Sequence, residues 1–115
     1  MSSDALRISD RPGSRPGHRI LTLNGPLVLT TMFEFQATVR ADQSQTLIID
    51  FTNVPYVDSA GIGTLVGAYV SRQNSRRRLA LAGVTNRVHD ALNVTRVEQF
   101  FQFFDSVEAA EKDSA

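Results

Sequence analysis

VDSAGIGTLVGAYV, Val57–Val70, carries the chain from a strand into a helix, and the other elements are read outward from it. Just upstream lies LIIDF (Leu47–Phe51), a nearly continuous apolar run of the kind expected in a central strand covered on both faces. The helix is expected to begin near Ala60. Projected at helical spacing, Ile62, Leu65, Val66, Tyr69 and Val70 form a core stripe. Ala60, Thr64, Gly67, Ala68 and Ser71 fall on the opposite side. That side is small and almost bare, where a solvated helix face usually carries Glu, Lys, Arg and Gln. Gly63 and Gly67 each give up about 1 kcal/mol of helix propensity relative to alanine. Such a loss on an outward face fits a surface that another backbone approaches closely.

Either Asp58 or Ser59 supplies the N-cap of this helix. A helix start presents unpaired N–H groups and a partial positive charge, so it tolerates an anion. A phosphate on Ser59 would therefore cost the domain little. It would add a charge of about −1.5 to −2 beside Asp58, on a smooth face that a partner fits. Taken alone, the stretch favours the plainer account, in which Ser59 only caps and the glycines only punctuate.

The wider pattern shifts that balance. VDSAGIGTLVGAY after an apolar strand resembles the D-S-x-G-[LI]-G signature of STAS-domain anti-sigma factor antagonists. LNGPL (Leu23–Leu27) is similar to the family's L-x-G-x-L strand ending, and LALAGVTNRVHDALNVTRVEQFF (Leu79–Phe101) resembles its strand–helix–strand close. The resemblance spans roughly Leu6 to Ala110. It implies that Ser59 is the phosphoacceptor and Asp58 its acidic neighbour. It also implies that Gly61, Gly63 and Thr64 lie on the part of the helix that meets a partner kinase. Ala60 takes a place often held by serine in relatives, so Ser59 is the single acceptor offered. With the small helix face, the expected partner-binding set is Asp58, Ser59, Ala60, Gly61, Gly63, Thr64, Gly67 and Ala68. Two positions depart from the family. Relatives often read G-x-L-D after the second strand, whereas Gly25-Pro26-Leu27 is followed here by Val28. The glycine-rich turn before the fourth strand is replaced by Asn74-Ser75-Arg76.

Composition narrows the classes further. A chain of 115 residues is one domain with room for a real core. There is no cysteine, which excludes disulfides and thiolate metal sites and suits a reducing cytoplasm. No apolar run approaches the roughly 18 residues of a membrane span, and the polar start MSSDALRISD is not a signal peptide. Twelve basic and twelve acidic side chains balance, so no global field draws in nucleic acid or membrane.

In chain order, Ala5–Ile8 reads as a short first strand and Arg11–Gly17 as a Pro/Gly loop, with a disordered tail as the alternative for residues 1–17. Residues 18–113 then form the STAS domain. Arg19–Leu23 alternates as a strand in which Ile20 and Leu21 compete for the core face. Thr31-Met32-Phe33-Glu34 reads as a capping box opening a helix to about Ala41, with Met32, Phe35 and Val39 inward and Phe33 partly exposed. Asp50 is expected to bond loop N–H groups, and Pro55 to stop the ladder. Gln73–Arg78 is a turn followed by a solvated arginine run, before the strand Leu79–Ala82. Thr85 or Asn86 caps the next helix, with Val88, Ala91 and Leu92 inward and Asn93 as C-cap. Phe100–Phe104 reads as a last strand, and Asp105-Ser106-Val107-Glu108 opens a terminal helix to about Lys112. The order implies an α/β fold, a single STAS-like domain whose mixed, mostly parallel sheet of four to five strands packs with about four helices.

Catalysis lacks its parts. A serine nucleophile needs a base, and only His18 and His89 are on offer. His89 sits mid-helix, and the flanks of Ser59 are not G-x-S-x-G. Neither a metal motif nor a P-loop is present, and Gly61 with Gly63 is only a lone G-x-G. The expectation is a cytoplasmic, non-enzymatic switch without a cofactor, monomeric or weakly dimeric. Its partners by resemblance are an anti-sigma factor serine kinase of the histidine-kinase-like (GHKL-type) ATPase fold and a phosphatase acting on phospho-Ser59. The alternative is a constitutive STAS subunit of a lipid-transport complex or stress-signalling scaffold.

Overall fold

Burial alternates along the central strands, and that alternation sets the layers. The computed structural model describes residues 5–113; the polar opening, residues 1–4, lies outside them. The elements are β1 (Arg7–Pro12), β2 (His18–Asn24), α1 (Met32–Ala41), β3 (Thr46–Asn53), α2 (Ser59–Asn74), β4 (Arg78–Ala82), α3 (Asn86–Val94), β5 (Gln102–Phe104) and α4 (Val107–Lys112). A 3₁₀ turn, Glu98–Phe100, precedes β5. The sheet order is β1-β2-β3-β4-β5, with β1 antiparallel to β2 and the other pairs parallel. Parallel neighbours joined in simple succession by right-handed crossovers put all their helices on one face. Leu21, Leu23, Leu47, Ile49, Phe51, Leu79 and Leu81 accordingly meet Phe35, Val39, Leu65, Val88 and Leu92 in one large cluster. On the other face Ile20, Ile48, Ala80 and Ala82 meet Ala110 of α4. Ile20 and Leu21 do not compete, because both faces are covered.

Most elements fall where the sequence puts them, and the differences have local causes. Asp50 accepts from the Thr52 N–H at 3.0 Å and from its hydroxyl at 2.6 Å. Thr85 caps α3, and Ser106 caps α4. The first strand runs later than expected, Arg7–Pro12, and its antiparallel register holds all six residues against β2. The capping box of α1 does not form. The Thr31 hydroxyl instead accepts from the Val28 N–H at 3.0 Å and donates to the Pro26 carbonyl at 2.8 Å, bracing the β2–α1 loop. Phe33 is 61% exposed. The C-cap of α3 is Thr95, with Arg96 in the left-handed region at φ 62°, rather than Asn93. Only Gln102–Phe104 of the FFQFF run is strand. Phe101 turns into the core, and Phe100 belongs to the 3₁₀ turn.

The largest correction concerns α2. It starts at Ser59 and continues to Asn74, and its buried positions are Gly61, Thr64, Leu65, Ala68 and Arg72. The core stripe is thus rotated from the one expected, with Val70 outside and Thr64 and Ala68 inside. Arg72 is buried because the fold brings four acceptor contacts to its guanidinium. It donates to Asp42 Oδ2 at 2.9 Å, to the Ser44 carbonyl at 2.8 Å and twice to the Arg78 carbonyl at 2.9 and 3.2 Å. No helix among the described residues is long and apolar enough to cross a membrane.

Candidate functional site

β3 ends at Asn53, and the chain reaches α2 through a loop held against the β2–α1 loop by an isolated parallel bridge between Leu27 and Val57. Asp58 is extended, at φ −109° and ψ −175°, so it is the N-cap. Its two carboxylate oxygens are divided between two tasks. Oδ1 accepts from the Gly61 N–H at 2.8 Å, closing the first turn of α2. Oδ2 accepts from the Leu29 N–H at 3.1 Å, latching the β2–α1 loop onto the helix start.

Because Asp58 caps, Ser59 does not. It is the first helical residue, exposed, and its hydroxyl makes no hydrogen bond among the described residues. The helix start contributes its partial positive charge at this point. What results is an accessible hydroxyl beside a fixed carboxylate, on a helix end that tolerates added negative charge.

The structure divides the remaining expected residues. Gly63 and Gly67 are exposed, and a Cβ at either would meet nothing within 4 Å. Ala60 is half-buried. Gly61, expected to face a partner, instead packs inward, where a Cβ would collide with the Leu27 carbonyl oxygen. Its glycine is required by that close approach. Thr64 and Ala68 also turn inward, in the groove between α1 and α2 that Gln36, Arg40, Gly67 and Ser71 help to line. The face around Ser59 is therefore Ser59, Gly63 and Gly67 with half-buried Ala60, and not the full small-residue set.

Two apolar side chains extend this end of the molecule. Leu29 is 55% exposed on the loop that Asp58 latches, and Phe33 stands on the first turn of α1. Sequence reasoning found Phe33 outside the helical stripe but missed Leu29. The available signal was Val28-Leu29, two large apolar residues in a loop where polar ones are usual. On the loop that leads into α2, the Tyr56 ring lies under the Arg87 guanidinium at 5.1 Å. Of the two histidines, His18 faces Glu111 and His89 lies against the Phe103 ring at 4.8 Å.

Comparisons with known proteins give the family. The model of the STAS domain matches residues 13–110. An anti-sigma-B factor antagonist from Listeria monocytogenes is 34% identical over 56 residues, 49% of this chain and 49% of the relative. The chain thus spans about half the length of that curated relative. In fold, it superposes on an anti-sigma factor antagonist from Mycobacterium paratuberculosis with a TM-score of 0.83 at 15% identity, covering 96% of this chain and 95% of the other. The Bacillus cell fate determinant SpoIIAA in its phosphorylated form superposes with a TM-score of 0.70 at 14% identity, over 92% and 98% of the two chains.

Proposed function

The chain belongs to the STAS-domain family, and from that premise we propose that it is an anti-sigma factor antagonist switched by phosphorylation of Ser59. Unphosphorylated, it binds an anti-sigma factor that is also a serine kinase of the GHKL-type ATPase fold, and a sigma factor is released. The kinase then transfers the terminal phosphoryl group of its own ATP to the Ser59 hydroxyl oxygen. The hydroxyl proton is lost, ADP leaves, and the complex separates. A phosphatase restores the serine. The protein acts in the cytoplasm, without a cofactor of its own.

One observation carries this reading: Asp58 has taken over the capping task, so the Ser59 hydroxyl is exposed and unengaged at a helix start. A serine needed as a cap would be held by the backbone. Support also comes from the Listeria relative's name and from a structural neighbour that exists in a phosphorylated form. The bare surface at Gly63 and Gly67 and the exposed Leu29 and Phe33 give a partner an apolar contact around the hydroxyl. Like charge brought into such a docked interface costs several kcal/mol, roughly a hundredfold or more in affinity.

Intact mass after incubation with ATP and the kinase domain tests the transfer, with Ser59→Ala alongside. One added phosphate, absent from the variant, is expected. Titration of Ser59→Asp and Ser59→Ala against the same kinase tests the switch. Equal affinity of the two variants would falsify it and leave a constitutive subunit whose Ser59 is inert.

A further inference from the structure

The C-terminal end of α2 carries a second feature, unrelated to Ser59. The helix closes on Ser75, and Arg76 then adopts φ 57°, a left-handed conformation that suits glycine and strains an arginine. The Arg76 N–H donates to the Gln73 carbonyl at 3.0 Å and the Arg77 N–H to the Arg72 carbonyl at 2.8 Å, so the turn is fixed. It places exposed Arg76 and half-buried Arg77 along a groove of about 500 Å³ that Gln45, Tyr69, Gln73 and Phe100 also line. Phe100 is 41% exposed, and its ring stacks on Tyr69 with centroids 5.5 Å apart.

The neighbouring arginines are satisfied and these two are not. Arg72 pairs with Asp42 and Arg78 with Asp113. Neither Arg76 nor Arg77 has a carboxylate within 4.0 Å among the described residues, and no acidic residue lines the groove. Burial holds the Arg72 guanidinium below its usual range despite Asp42, and the like charge of Arg77 pushes the same way. An anion bound at Arg77 would relieve that crowding.

We propose that this groove is a second docking surface, which takes an extended acidic segment of a protein partner. Carboxylates of the segment pair with Arg76 and Arg77, and an aromatic side chain lies against Phe100. The forked guanidinium matches a carboxylate, and arginine beside aromatic rings is the composition of interface centres. The groove is far larger than a single small anion, so a free phosphate leaves most of it unfilled. A nucleic acid backbone needs a long basic track, whereas this chain balances 12 basic with 12 acidic side chains. The 16 residues of α2 set the arginine end of the groove roughly 24 Å from Ser59. It is therefore open whatever the state of the switch, and both surfaces are free to be engaged at once.

Fluorescence anisotropy of the full chain with a fluorescein-labelled peptide of alternating glutamate and phenylalanine tests this. Saturable binding is expected, weakened about tenfold or more by Arg77→Gln and by Phe100→Ala, and weakened by salt. Ser59→Asp is expected to bind the peptide as the unmodified protein does, which separates this surface from the switch. Arg76→Gly is the sharper variant: it removes the backbone strain, so its Tm rises while its peptide affinity falls. The proposal is overturned by absence of saturable binding, by unchanged affinity in the Arg76→Gly, Arg77→Gln double variant, or by tighter binding of an oligothymidylate of equal charge.

Discussion

The two ends of the sheet are built on opposite terms. At the N-terminal ends of the parallel strands, most charged groups are matched inside the domain, Arg76 and Arg77 of the groove excepted. All four ion pairs among the described residues lie there: His18 with Glu111, Arg19 with Asp10, Arg72 with Asp42 and Arg78 with Asp113. At the C-terminal ends, the carboxylate of Asp58 is spent on two backbone N–H groups, the Ser59 hydroxyl is unengaged, and Leu29 and Phe33 stand in solvent. Outside the groove of Arg76 and Arg77, the first end closes on itself, and the other leaves its groups to be completed from outside. The difference bears on the proposed switch, because a phosphate is legible to a partner only where the domain does not absorb its charge. Away from the ion pairs, a new anion at Ser59 is opposed by Asp58 and favoured by the helix start.

Breaking the closed end should have the largest effect. Arg72→Ala strips Asp42 of its partner and leaves the Ser44 and Arg78 carbonyls without their side-chain donor. Removing one member of a buried pair costs about 3–5 kcal/mol. Urea unfolding should show that loss, and Arg72→Lys should recover only part of it, since an ammonium lacks the planar fork. A cost below about 1 kcal/mol would mean that the two ends do not differ in the way described. Ser59 should still accept phosphate in any fraction that remains folded.

Within α2 the comparison becomes one of sign. Gly61→Ala drives a methyl group into the Leu27 carbonyl, a backbone atom that cannot swing aside, and should destabilise by about 1–3 kcal/mol. Gly63→Ala and Gly67→Ala meet open space and should each stabilise by up to about 1 kcal/mol. Thermal melts of the three variants decide this. If the outward glycines serve docking, the two stabilised variants should bind the kinase less well than the parent. Unchanged binding would return Gly63 and Gly67 to mere punctuation.

These glycines also show where the sequence was legible and where it was not. Propensity marked Gly63 and Gly67 as costly in a helix, but which way each glycine faces depended on a helical phase that the apolar residues left ambiguous. Ile62, Val66 and Tyr69 sit at the boundary of the core, Val70 is 47% exposed, and the fully inward track runs through Gly61, Leu65 and Arg72. An arginine at the end of that track does not read as core. It becomes so only when Ser44, far along the chain, and Arg78, across the turn, bring their carbonyls to it. The α1 capping box failed for a similar reason, since the Thr31 hydroxyl found better partners in the preceding loop. The D-S helix start was legible because it is local: both candidate caps were in view, and Asp58 took the task. The Val28-Leu29 pair hinted that Leu29 is exposed, but its link to the helix start is a bond to Asp58 across 29 residues, which no local pattern announces.

The smallest expected effect tests the closed end without dismantling it. Glu111 of α4 accepts from the Ser14 N–H at 2.7 Å and from its hydroxyl at 2.9 Å, with His18 Nδ1 at 3.5 Å. Burial pushes its carboxyl up, but the two Ser14 bonds and His18 outweigh burial and hold it below the usual glutamate range. A carboxyl depressed by folding contributes stability above its unfolded value, about pH 4.3, and that contribution is lost as pH falls through the folded value. Urea titrations from neutral pH downward should therefore show stability declining below about pH 4.3, as the unfolded chain takes up a proton that the folded chain refuses. Ser14→Ala keeps the backbone donor and removes the hydroxyl, so it should cost about 1 kcal/mol near neutrality and flatten the acid decline. An acid profile identical to that of the parent would show that the hydroxyl plays no part in holding the charge. Ser59→Asp, at the other end, should leave the Glu111 contribution to the profile unchanged, because the two ends share no ion pair through which one would shift the other.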